Sequence, residues 1–509
     1  MRIQPTREEF TRHAEKGNLI PVWTELLADQ ETPVSAYERV RNVLRAEDNA
    51  SHTYLLESVE GGENIARYSF IGGRPRAIIR AYGDRVEIDT TTELKSTVWE
   101  NIDPLEAVKK YMSRFNPVSD PNLPRFTGGA VGFIGYDCVS QFERVKTRNN
   151  NALRAPDMVF MITDALIIFD RVRHTIKVVA NALVEDNPPE SYDQAVKTIK
   201  HLCDALTTPL PNYLIDPEPP EPEPEPISNT TRAEYEEAVE KAREYIRAGD
   251  IIQTVISQRF ETDFDGDSLD LYRALRSVNP SPYMFCLDLG DSAMVGSSPE
   301  IHVRCEDGRI RVRPIAGTRP RGATQEEDKR LEEELLSDPK ERAEHIMLVD
   351  LARNDIGRVC EYGTVEVPEL MVIERYSHVM HIVSDVTGKL ADGFDEYDAM
   401  RATFPAGTVS GAPKVRAMEI IAELESAKRG PYAGAVGYFN FNGNLDSCIT
   451  IRTIIHDQGK AYVQAGAGIV ADSIPVNEYE ETRNKSRGMF KAIALARHLA
   501  ATRKAEEKR

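Results

Sequence analysis

Short apolar or alternating segments bounded by turn residues are the dominant pattern along this chain, and they predict strands. In the second half these segments are IIQTVISQRF (251–260), MFCLDLG (284–290), SAMVGSS (292–298), RIRVRPIAG (309–317), ERYSHVMHIVSDVTG (374–388), GAVGYFNF (434–441), CITIRTII (448–455) and KAYVQAGAGIV (460–470). So many hairpin-like strands predict antiparallel sheets covered by helices.

Helical periodicity follows capping residues at several places. DPLEAVKKYMSRF (103–115) predicts a helix in the first half, where it mixes with strand-like segments such as APDMVFMITDALIIFD (155–170). Residues 231–249 predict a capped amphipathic helix that ends at glycine. Further helices are expected to begin at Pro339 and Pro475. The pattern as a whole predicts an α+β fold rather than regular βαβ winding.

The clearest boundary is the acidic, proline-rich segment DPEPPEPEPEP (216–226), which can form neither a helix nor a central strand. A chain of 509 residues is also too long for a single hydrophobic core. The sequence therefore predicts an N-terminal domain over residues 1–216, a linker over 217–226 and a second domain over 227–509.

Composition narrows the possible functions. Lys and Arg total 63 against 82 Asp and Glu, a net charge of −19, which disfavours nucleic-acid binding through a basic surface. An anionic substrate must then be held by a local cluster of positive groups or by a metal ion. The six cysteines are scattered without a CxxC pair, and no apolar run has the length of a signal peptide or a membrane span. We therefore expect a cytoplasmic protein.

The most informative segment is QAGAGIVADSIPVNEYEETRNK (464–485), which suits an anion at one end and a cation at the other. Gly466 and Gly468 predict a loop whose amide groups can approach an anion closely. In the helix that follows Pro475, Glu478 and Glu481 lie three apart and share one face.

Glu344 lies at the edge of an apolar helix face and needs a partner, because an unpaired buried charge is unfavourable by several kcal/mol. The sequence leaves two partners open. One is an arginine such as Arg353 or Arg358, and the other is a Mg²⁺ ion shared with Glu481, since Mg²⁺ prefers oxygen ligands.

Histidines and arginines in other motifs could bind or protonate a substrate. His378 and His381 are three apart in an alternating strand pattern, so they face opposite sides and periodicity does not choose between them. PIAGTRPRG (314–322) predicts a carboxylate-binding loop or a basic turn, and FPAGTVSGAPK (404–414) an anion-binding helix start or an ordinary capped helix. Arg452, within an apolar strand pattern, is expected to meet a substrate carboxylate or an intramolecular Asp or Glu.

Taken together, these motifs closely resemble the chorismate-utilising enzymes, and among them the large subunits of anthranilate synthases. The similarity runs through SSPE (297–300), PIAGTRPRG, ERAEHIMLVDLARNDIGRV (341–359), SHVMHIVS (377–384), TFPAGTVSGAPK (403–414), GPYAGAVGYF (430–439) and QAGAGIV (464–470). Long motifs in this order are far more specific than any single short pattern. The resemblance implies a sandwich of antiparallel sheets that performs Mg²⁺-dependent amination of chorismate and then eliminates pyruvate to give anthranilate, for tryptophan biosynthesis.

The resemblance also implies roles for single residues. The metal ligands correspond to Glu344 and Glu481. The catalytic residues correspond to Glu300, His381 and Thr408, with Glu300 protonating the departing hydroxyl and His381 transferring a proton during pyruvate elimination. The implied chorismate contacts are Gly317, Thr318, Tyr432, Arg452, Gly466, Ala467 and Gly468.

Two positions separate this chain from relatives with other chemistry. Gln253 stands where enzymes that hydroxylate chorismate with water have a lysine base, and Ala316 stands where aminodeoxychorismate synthases have a lysine nucleophile. Both departures favour ammonia as the direct nucleophile. Because no glutaminase-type arrangement of Cys, His and Glu is recognisable, the resemblance implies a separate glutamine amidotransferase subunit that supplies ammonia within a heterotetramer.

The N-terminal domain resembles the regulatory part of the same enzymes. LLESVEGG resembles a tryptophan-binding strand that carries Ser58, and NPSPYMFCL matches the second half of that site at Pro282, Tyr283 and Met284. Tryptophan bound there would bias the packing of the two parts and lower chorismate turnover. The alternative is a pair of ordinary buried strands.

Two other functions stay open at the level of sequence. One is a synthase that stops at the aminated intermediate, 2-amino-2-deoxyisochorismate, and the other is a non-catalytic tryptophan-binding paralogue. The presence of Glu344, Glu481, His381 and Arg452 together argues against the second.

Overall fold

The computed structural model describes residues 1–48, 52–59, 67–91, 95–148, 150, 153, 155–211, 216, 223–376 and 379–506. Its helices are Arg7–His13, Pro33–Asp48, Pro104–Met112, Val139–Phe142, Pro188–Leu206, Arg232–Ala248, Ser268–Val278, Gln325–Ser337, Pro339–Gly357, Glu396–Thr403, Lys414–Leu424 and Pro475–Glu506, with 3₁₀ turns at Tyr136–Cys138 and Gly407–Val409. Within these ranges, no helix is long and apolar enough to cross a membrane.

The predicted helix starts are confirmed, and local chemistry explains them. The Thr231 and Glu234 side chains form a capping box, and this helix ends at Gly249, whose φ of 85° favours glycine. Asp338 accepts hydrogen bonds from two amides at the start of the helix that begins at Pro339. Pro475 begins the last helix, as expected.

The strands divide into those before and those after the proline-rich segment. Before it are β1 (Leu19–Leu27), β2 (His52–Glu57), β3 (Tyr68–Gly73), β4 (Ala77–Tyr82), β5 (Arg85–Thr90), β6 (Lys95–Trp99), β7 (Gly129–Ile134), β8 (Met158–Thr163), β9 (Ala165–Asp170) and β10 (Thr175–Leu183). After it are β11 (Ile227–Ser228), β12 (Gln253–Asp263), β13 (Tyr283–Leu289), β14 (Ser292–Ser298), β15 (Ile301–Glu306), β16 (Arg309–Val312), β17 (Ile315–Pro320), β18 (Glu366–Arg375), β19 (Val379–Lys389), β20 (Gly411–Ala412), β21 (Ala435–Asn440), β22 (Leu445–Ile449), β23 (Thr453–Asp457) and β24 (Lys460–Ile469).

These strands form two large antiparallel sheets. The first, sheet A, has the order β1-β10-β9-β3-β2-β13-β14-β23-β24-β12-β11, with β20 beside β12. The second, sheet B, has the order β17-β19-β16-β15-β22-β21-β7-β8-β4-β5-β6, with β18 beside β19. The α+β class with antiparallel sheets is therefore confirmed.

The parts before and after the proline-rich segment share both sheets. In sheet A, β2 pairs with β13, and in sheet B, β7 pairs with β21. Residues 217–222 of the predicted linker lie outside the described residues. The division into 1–216 and 227–509 stays a prediction about function. In the structure, both parts contribute strands to the same two sheets.

The hydrophobic core has three layers. Side chains from both sheets, such as Leu166 and Phe285 of sheet A and Val131 and Val436 of sheet B, pack together between the sheets. A second cluster joins the outer face of sheet A to helices, including Pro475–Glu506. A third joins sheet B to the helices that cover it. The layers are therefore helix, sheet, sheet, helix. Because both faces of each sheet are covered, the chain crosses from one sheet to the other at the ends of strands.

Candidate active site at the crossing of the two sheets

Two chain segments change sheets side by side, and most of the predicted site surrounds them. The chain leaves β14 of sheet A, passes Glu300 and enters β15 of sheet B. It returns from β22 of sheet B to β23 of sheet A through Arg452. The Ile449 amide donates to the Glu300 carbonyl at 3.0 Å, and the Ser297 amide donates to the Arg452 carbonyl at 3.1 Å. Backbone bonds thus hold the two crossings together.

The apolar pattern predicted Arg452 within a strand, but this prediction is wrong. Arg452 occupies the break between β22 and β23 with a φ of 51°, a left-handed conformation that is uncommon for a residue with a side chain. Burial lowers the pKa of its guanidinium, and no carboxylate among the described residues pairs with it. Tyr432 is its ionisable neighbour. A partly buried cation without an internal counter-charge is prepared for an anionic ligand.

Glu300 is a buried acid held beside the 3₁₀ turn Gly407–Val409. Thr408 Oγ1 donates to its Oε1 at 2.7 Å. Burial raises the pKa of the Glu300 carboxyl to about 7, although Thr408 and the backbone of Ile315 both lower it. The carboxyl is therefore partly protonated at neutral pH, as a general acid requires.

His381 lies on β19 opposite a bulge in β17. Gly317 forms that bulge with a φ of 67°, which favours glycine. The His381 Nδ1 atom lies 3.0 Å from the Gly317 carbonyl oxygen and 3.0 Å from Thr318 Oγ1. Because a carbonyl oxygen only accepts, Nδ1 carries the proton and Nε2 keeps its lone pair. Burial lowers the pKa of the imidazole, and Arg452 lowers it further, so the ring is neutral near pH 7.

The glycine segment is a strand, as the pattern of KAYVQAGAGIV predicted, and the loop expected from its glycines is wrong. Gly466, Ala467 and Gly468 belong to β24 and pair with β12. A side chain at Gly466 would lie 2.7 Å from Tyr432 Oη, and one at Gly468 would lie 2.8 Å from Gln253 Nε2. The glycines therefore serve close approach of those two side chains to the strand, and backbone conformation does not require them.

Gln253 and Lys485 connect this strand to the predicted metal ligands. Gln253 also lies near Glu344 and lowers the pKa of its carboxyl. Lys485 donates to the Gly466 carbonyl at 3.0 Å and lies 2.7 Å from a Glu481 oxygen. Glu344 and Glu481, from two helices distant in sequence, thus approach the same strand.

Two of the acidic residues around this point, Glu344 and Glu478, form no ion pair with an arginine among the described residues. Burial raises the pKa of Glu344, and the nearby Glu341 carboxylate raises it further. Burial also raises the pKa of Glu478, and the Glu481 carboxylate adds to the effect. The same two lysines, Lys340 and Lys485, partly offset both shifts, so the two acids belong to one cluster.

The arginines proposed as partners for Glu344 are engaged elsewhere. Arg353 pairs with Asp350, and Arg358 pairs with Glu143. The ion-pair alternative for Glu344 with either arginine is therefore wrong. No preformed group of three or more His, Cys, Asp or Glu side chains with metal-binding geometry occurs in the described ranges. Mg²⁺ commonly takes only one or two protein carboxylates beside water and substrate oxygens, which two glutamates can supply.

Several basic residues of the motifs have internal partners. Arg319 lies within 3.2 Å of acids at Glu334, Asp338 and Glu341. Lys414 lies 2.6 Å from Asp355. Thr318, rather than the arginines that follow it, is thus the side chain of PIAGTRPRG that touches the site, and His378 lies outside the described residues.

The two segments predicted to bind tryptophan lie next to each other. Glu57 of β2 is opposite Met284 of β13, and the Val59 amide, just after Ser58, donates to the Ser281 carbonyl at 3.3 Å. Ser58 is buried at this point. The structure therefore brings together Ser58, Pro282, Tyr283 and Met284 from the two parts of the chain.

Sequence reasoning missed Arg429, the largest fully buried side chain of the described structure. It donates to the Val409 carbonyl at 2.7 Å and the Val255 carbonyl at 2.6 Å, and it forms two bonds with the Glu425 carboxylate. Its guanidinium also lies 5.5 Å from the centre of the Tyr432 ring. Arg429 thus fixes Tyr432, β12 and the Thr408 turn together, although its place before a Gly-Pro turn looks ordinary in sequence.

Comparison with known proteins agrees with this geometry. The profile of the chorismate binding enzyme family matches residues 51–491. Anthranilate synthase component 1 of Aquifex aeolicus is 49% identical over 97% of this chain and 99% of its own, and that of Pseudomonas putida is 50% identical over the same shares. The crystal structure of anthranilate synthase component I from Streptococcus pneumoniae superimposes with a TM-score of 0.76 at 37% identity, covering 91% of this chain and 99% of that one.

Proposed function

The chain belongs to the chorismate-binding enzymes, and we propose that it is the large, chorismate-using subunit of an anthranilate synthase. The observation that carries the proposal is Arg452, a partly buried guanidinium without an acidic partner among the described residues, at the sheet crossing. From Tyr432 beside it, contacts continue through Gly466 and Lys485 to Glu481. A small dianion fits a site that has an unpaired cation at one end and, at the other, an acid cluster that can hold a metal ion.

Mg²⁺ is the proposed cofactor, held by Glu344 and Glu481. The repulsion and burial that raise the pKa of Glu344 are relieved when a divalent cation binds, which supports the assignment. Held by these two glutamates, the ion would supply positive charge for the ring carboxylate of chorismate and would favour departure of the hydroxyl. The protein-derived contacts to the substrate would be Thr318, Tyr432, Arg452 and the amides of the Gly466 to Gly468 strand.

Glu300 and His381 would carry the proton transfers. Ammonia adds to ring carbon 2 while the 4-hydroxyl departs, and the carboxyl of Glu300, with a pKa of about 7, can supply the proton that the departing oxygen needs. In the second step, loss of pyruvate requires removal of a ring proton. The neutral His381 ring, whose Nδ1–H is fixed by the Gly317 carbonyl, offers the Nε2 lone pair for that transfer.

Regulation and partners complete the proposal. We assign residues 1–216 a regulatory role and 227–509 the catalytic role, with tryptophan binding between Ser58 and the Pro282 to Met284 segment. The relatives are named component 1, which implies a second component in those proteins. Here that partner would be a glutamine amidotransferase that supplies ammonia, in a heterotetramer. All six cysteines are free, which supports the proposed cytoplasmic location.

The test is a fluorescence assay of the purified chain with chorismate, ammonium and Mg²⁺, followed by product analysis. We expect anthranilate and pyruvate in equal amounts. Absence of any product would refute the enzyme, and accumulation of the aminated intermediate would favour the synthase that stops early. In the same assay, His381→Ala is expected to release that intermediate, and normal anthranilate formation by this variant would remove His381 from the mechanism.

A further inference from the structure

His381 lies between two neighbouring strands of sheet B, and only one of its two cross-strand partners belongs to the site described above. On β17, Thr318 is directly opposite His381, and on β18, Glu374 is directly opposite it. Side chains that are directly opposite each other on adjacent antiparallel strands share a face of the sheet, about 5 Å apart at Cβ. Glu374 therefore lies beside the imidazole, although it has no role in the mechanism above.

Tyr376, just after β18, connects Glu374 to the imidazole. The centre of its ring lies 5.6 Å from the centre of the His381 ring, and the two planes are inclined at 62°, an edge-to-face arrangement. Its hydroxyl donates to Glu374 Oε2 at 3.0 Å. The Tyr376 ring thus contacts His381, while its hydroxyl is bonded to the carboxylate that is opposite His381 on the neighbouring strand.

Arg313 holds the Glu374 carboxylate from its other oxygen. Arg313 Nη2 donates to Glu374 Oε1 at 2.6 Å, so the two oxygens of this carboxylate are bonded to different partners. The Arg313 side chain comes from the segment between β16 and β17 and is 13% exposed. Arg313, Glu374 and Tyr376 therefore form a connected set of side chains that ends at the imidazole. We refer to this set as the Glu374 network.

Two charged groups act on the imidazole in opposite directions. Beyond burial, which lowers the pKa of His381 most, Arg452 of the sheet crossing lowers it and Glu374 raises it. From β17 and the end of β18, Thr318 and Tyr376 present hydroxyl groups. The next residue of β17 is an arginine that is paired with acids of its own, Glu334, Asp338 and Glu341. Glu374 is thus the acid that partly offsets burial and Arg452 at His381.

We propose that Tyr376 is a positioning residue for His381 and that Glu374 holds it in place, an inference that rests on the proposed function. The Gly317 carbonyl fixes only the Nδ1 end of the imidazole. An edge-to-face neighbour limits rotation of the ring about that hydrogen bond, so Nε2 keeps one direction. A misplaced imidazole should slow the removal of the ring proton and leave the earlier amination step unaffected.

Tyr376→Leu tests the proposal, because it removes the aromatic edge and keeps an apolar side chain. In the assay with chorismate, ammonium and Mg²⁺, we expect anthranilate formation to fall about tenfold, with accumulation of the aminated intermediate. The rate of chorismate consumption and the KM for chorismate should stay the same. Tyr376→Phe keeps the ring and loses only the bond to Glu374, so it should recover most of the anthranilate formation.

Glu374→Gln provides a readout that a residue with a purely structural role would not change. Because His381 acts as a base when it is neutral, activity is lost as pH falls through its pKa. Removal of the Glu374 charge lowers that pKa, so the acid limb of kcat for anthranilate formation should move down by about 0.5 pH unit. Glu369→Gln removes another acid near Arg313 and is the matched control, because Glu369 is opposite Asp385 in register. Its acid limb should stay in place.

The outcomes separate the two proposals. If the wild-type chain is active and His381→Ala accumulates the intermediate, but Tyr376→Leu and Glu374→Gln behave like the wild type, the positioning role is refuted and the proposed function stands. A less stable Glu374→Gln protein with an unmoved acid limb would also overturn the inference, because this acid would then only maintain the structure. A higher KM for chorismate with a normal product ratio in Tyr376→Leu would overturn it as well. A wild-type chain that forms no product would refute the proposed function and, with it, the role of His381.

Discussion

Two groups of carboxylates in this molecule, one fully buried and one partly buried, differ in the partners that surround them. Glu57, whose side chain is fully buried at the end of β2, contacts the guanidinium groups of Arg171 and Arg276. It also accepts a bond of 2.7 Å from Tyr272 Oη. Every oxygen of this carboxylate therefore has donors, and two positive charges surround one negative charge.

Only part of the acid cluster around Glu344 has such partners. Glu341 and Glu481 each have a basic partner, Arg319 and Lys485. Glu344 and Glu478, whose pKa values these two acids raise, have no ion-pair partner among the described residues. A carboxylate with a complete set of donors maintains the structure, whereas carboxylates that lose water next to like charges need a cation from outside. The same residue type thus indicates packing in one region and a site in the other.

The largest effect is expected from Glu57→Gln. This change leaves two partly exposed arginines without their counter-charge and weakens four hydrogen bonds at a fully buried position, so we expect the free energy of unfolding to fall by about 3 kcal/mol. Urea-induced unfolding followed by circular dichroism measures it. Glu47→Gln, which removes an exposed ion pair with Arg74, should change stability by no more than about 1 kcal/mol. If both variants lost the same unfolding free energy, Glu57 would contribute no more to stability than an exposed ion pair.

Glu344→Gln should affect activity rather than stability. Loss of a metal ligand is expected to lower kcat/KM for chorismate by about 100-fold, or roughly 2.7 kcal/mol. The free energy of unfolding should stay the same or rise, because a repelled carboxylate is removed. Added Mg²⁺ should raise the melting temperature of the parent chain but not that of the variant.

Glu480→Gln is the control for Glu344, since Glu480 lies on the same helix as Glu481 but is exposed and near Arg232. It should retain activity and the response to Mg²⁺. A Glu344→Gln protein that unfolds more easily and keeps its activity would reverse the assignment of the acid cluster.

Arg429→Lys examines a fully paired charge within the catalytic half. Lysine keeps the charge but cannot serve both Glu425 and the carbonyls of Val255 and Val409, so a buried acceptor loses its donor. We expect a loss of about 2 kcal/mol in unfolding free energy. Arg416→Lys, at an exposed pair with Asp250, should be neutral within about 0.5 kcal/mol. No change in Arg429→Lys would show that this pair does not hold the site together.

The sequence predicted the helix starts that carry the acids because caps and prolines act locally. The helices that begin at Pro339 and Pro475 bring Glu344 and Glu481 to their positions, and both starts agree with the structure. The sheet class also followed from local strand and turn signals. Arg429 gave no signal, since a buried ion pair depends on which distant segments meet.

The crossing of the sheets could not be read from periodicity. CITIRTII is apolar throughout, so nothing in the pattern marks the break at Arg452, where a φ of 51° occurs without glycine. The glycines of β24 led to the opposite error: they predicted a loop, whereas the segment is a strand. The missing side chains of these glycines allow Tyr432 and Gln253 to lie close to the strand. In both cases tertiary packing, rather than local preference, decides the conformation.

The smallest effect is expected from Thr408→Val. This variant tests Glu300, an acid that belongs neither to the Glu57 group nor to the acid cluster around Glu344. The Thr408 hydroxyl bonds to the ionised form and lowers the pKa of Glu300, so its removal should raise that pKa above about 7. An acid that acts when protonated loses activity as pH rises through its pKa, and the alkaline limb of kcat/KM should therefore move up by roughly 0.5–1 pH unit. Ser410→Ala, in the same turn but bonded to Ala406, should leave the limb in place. A limb that moves down, or a slower Thr408→Val enzyme with an unmoved limb, would mean that Glu300 does not donate the proton.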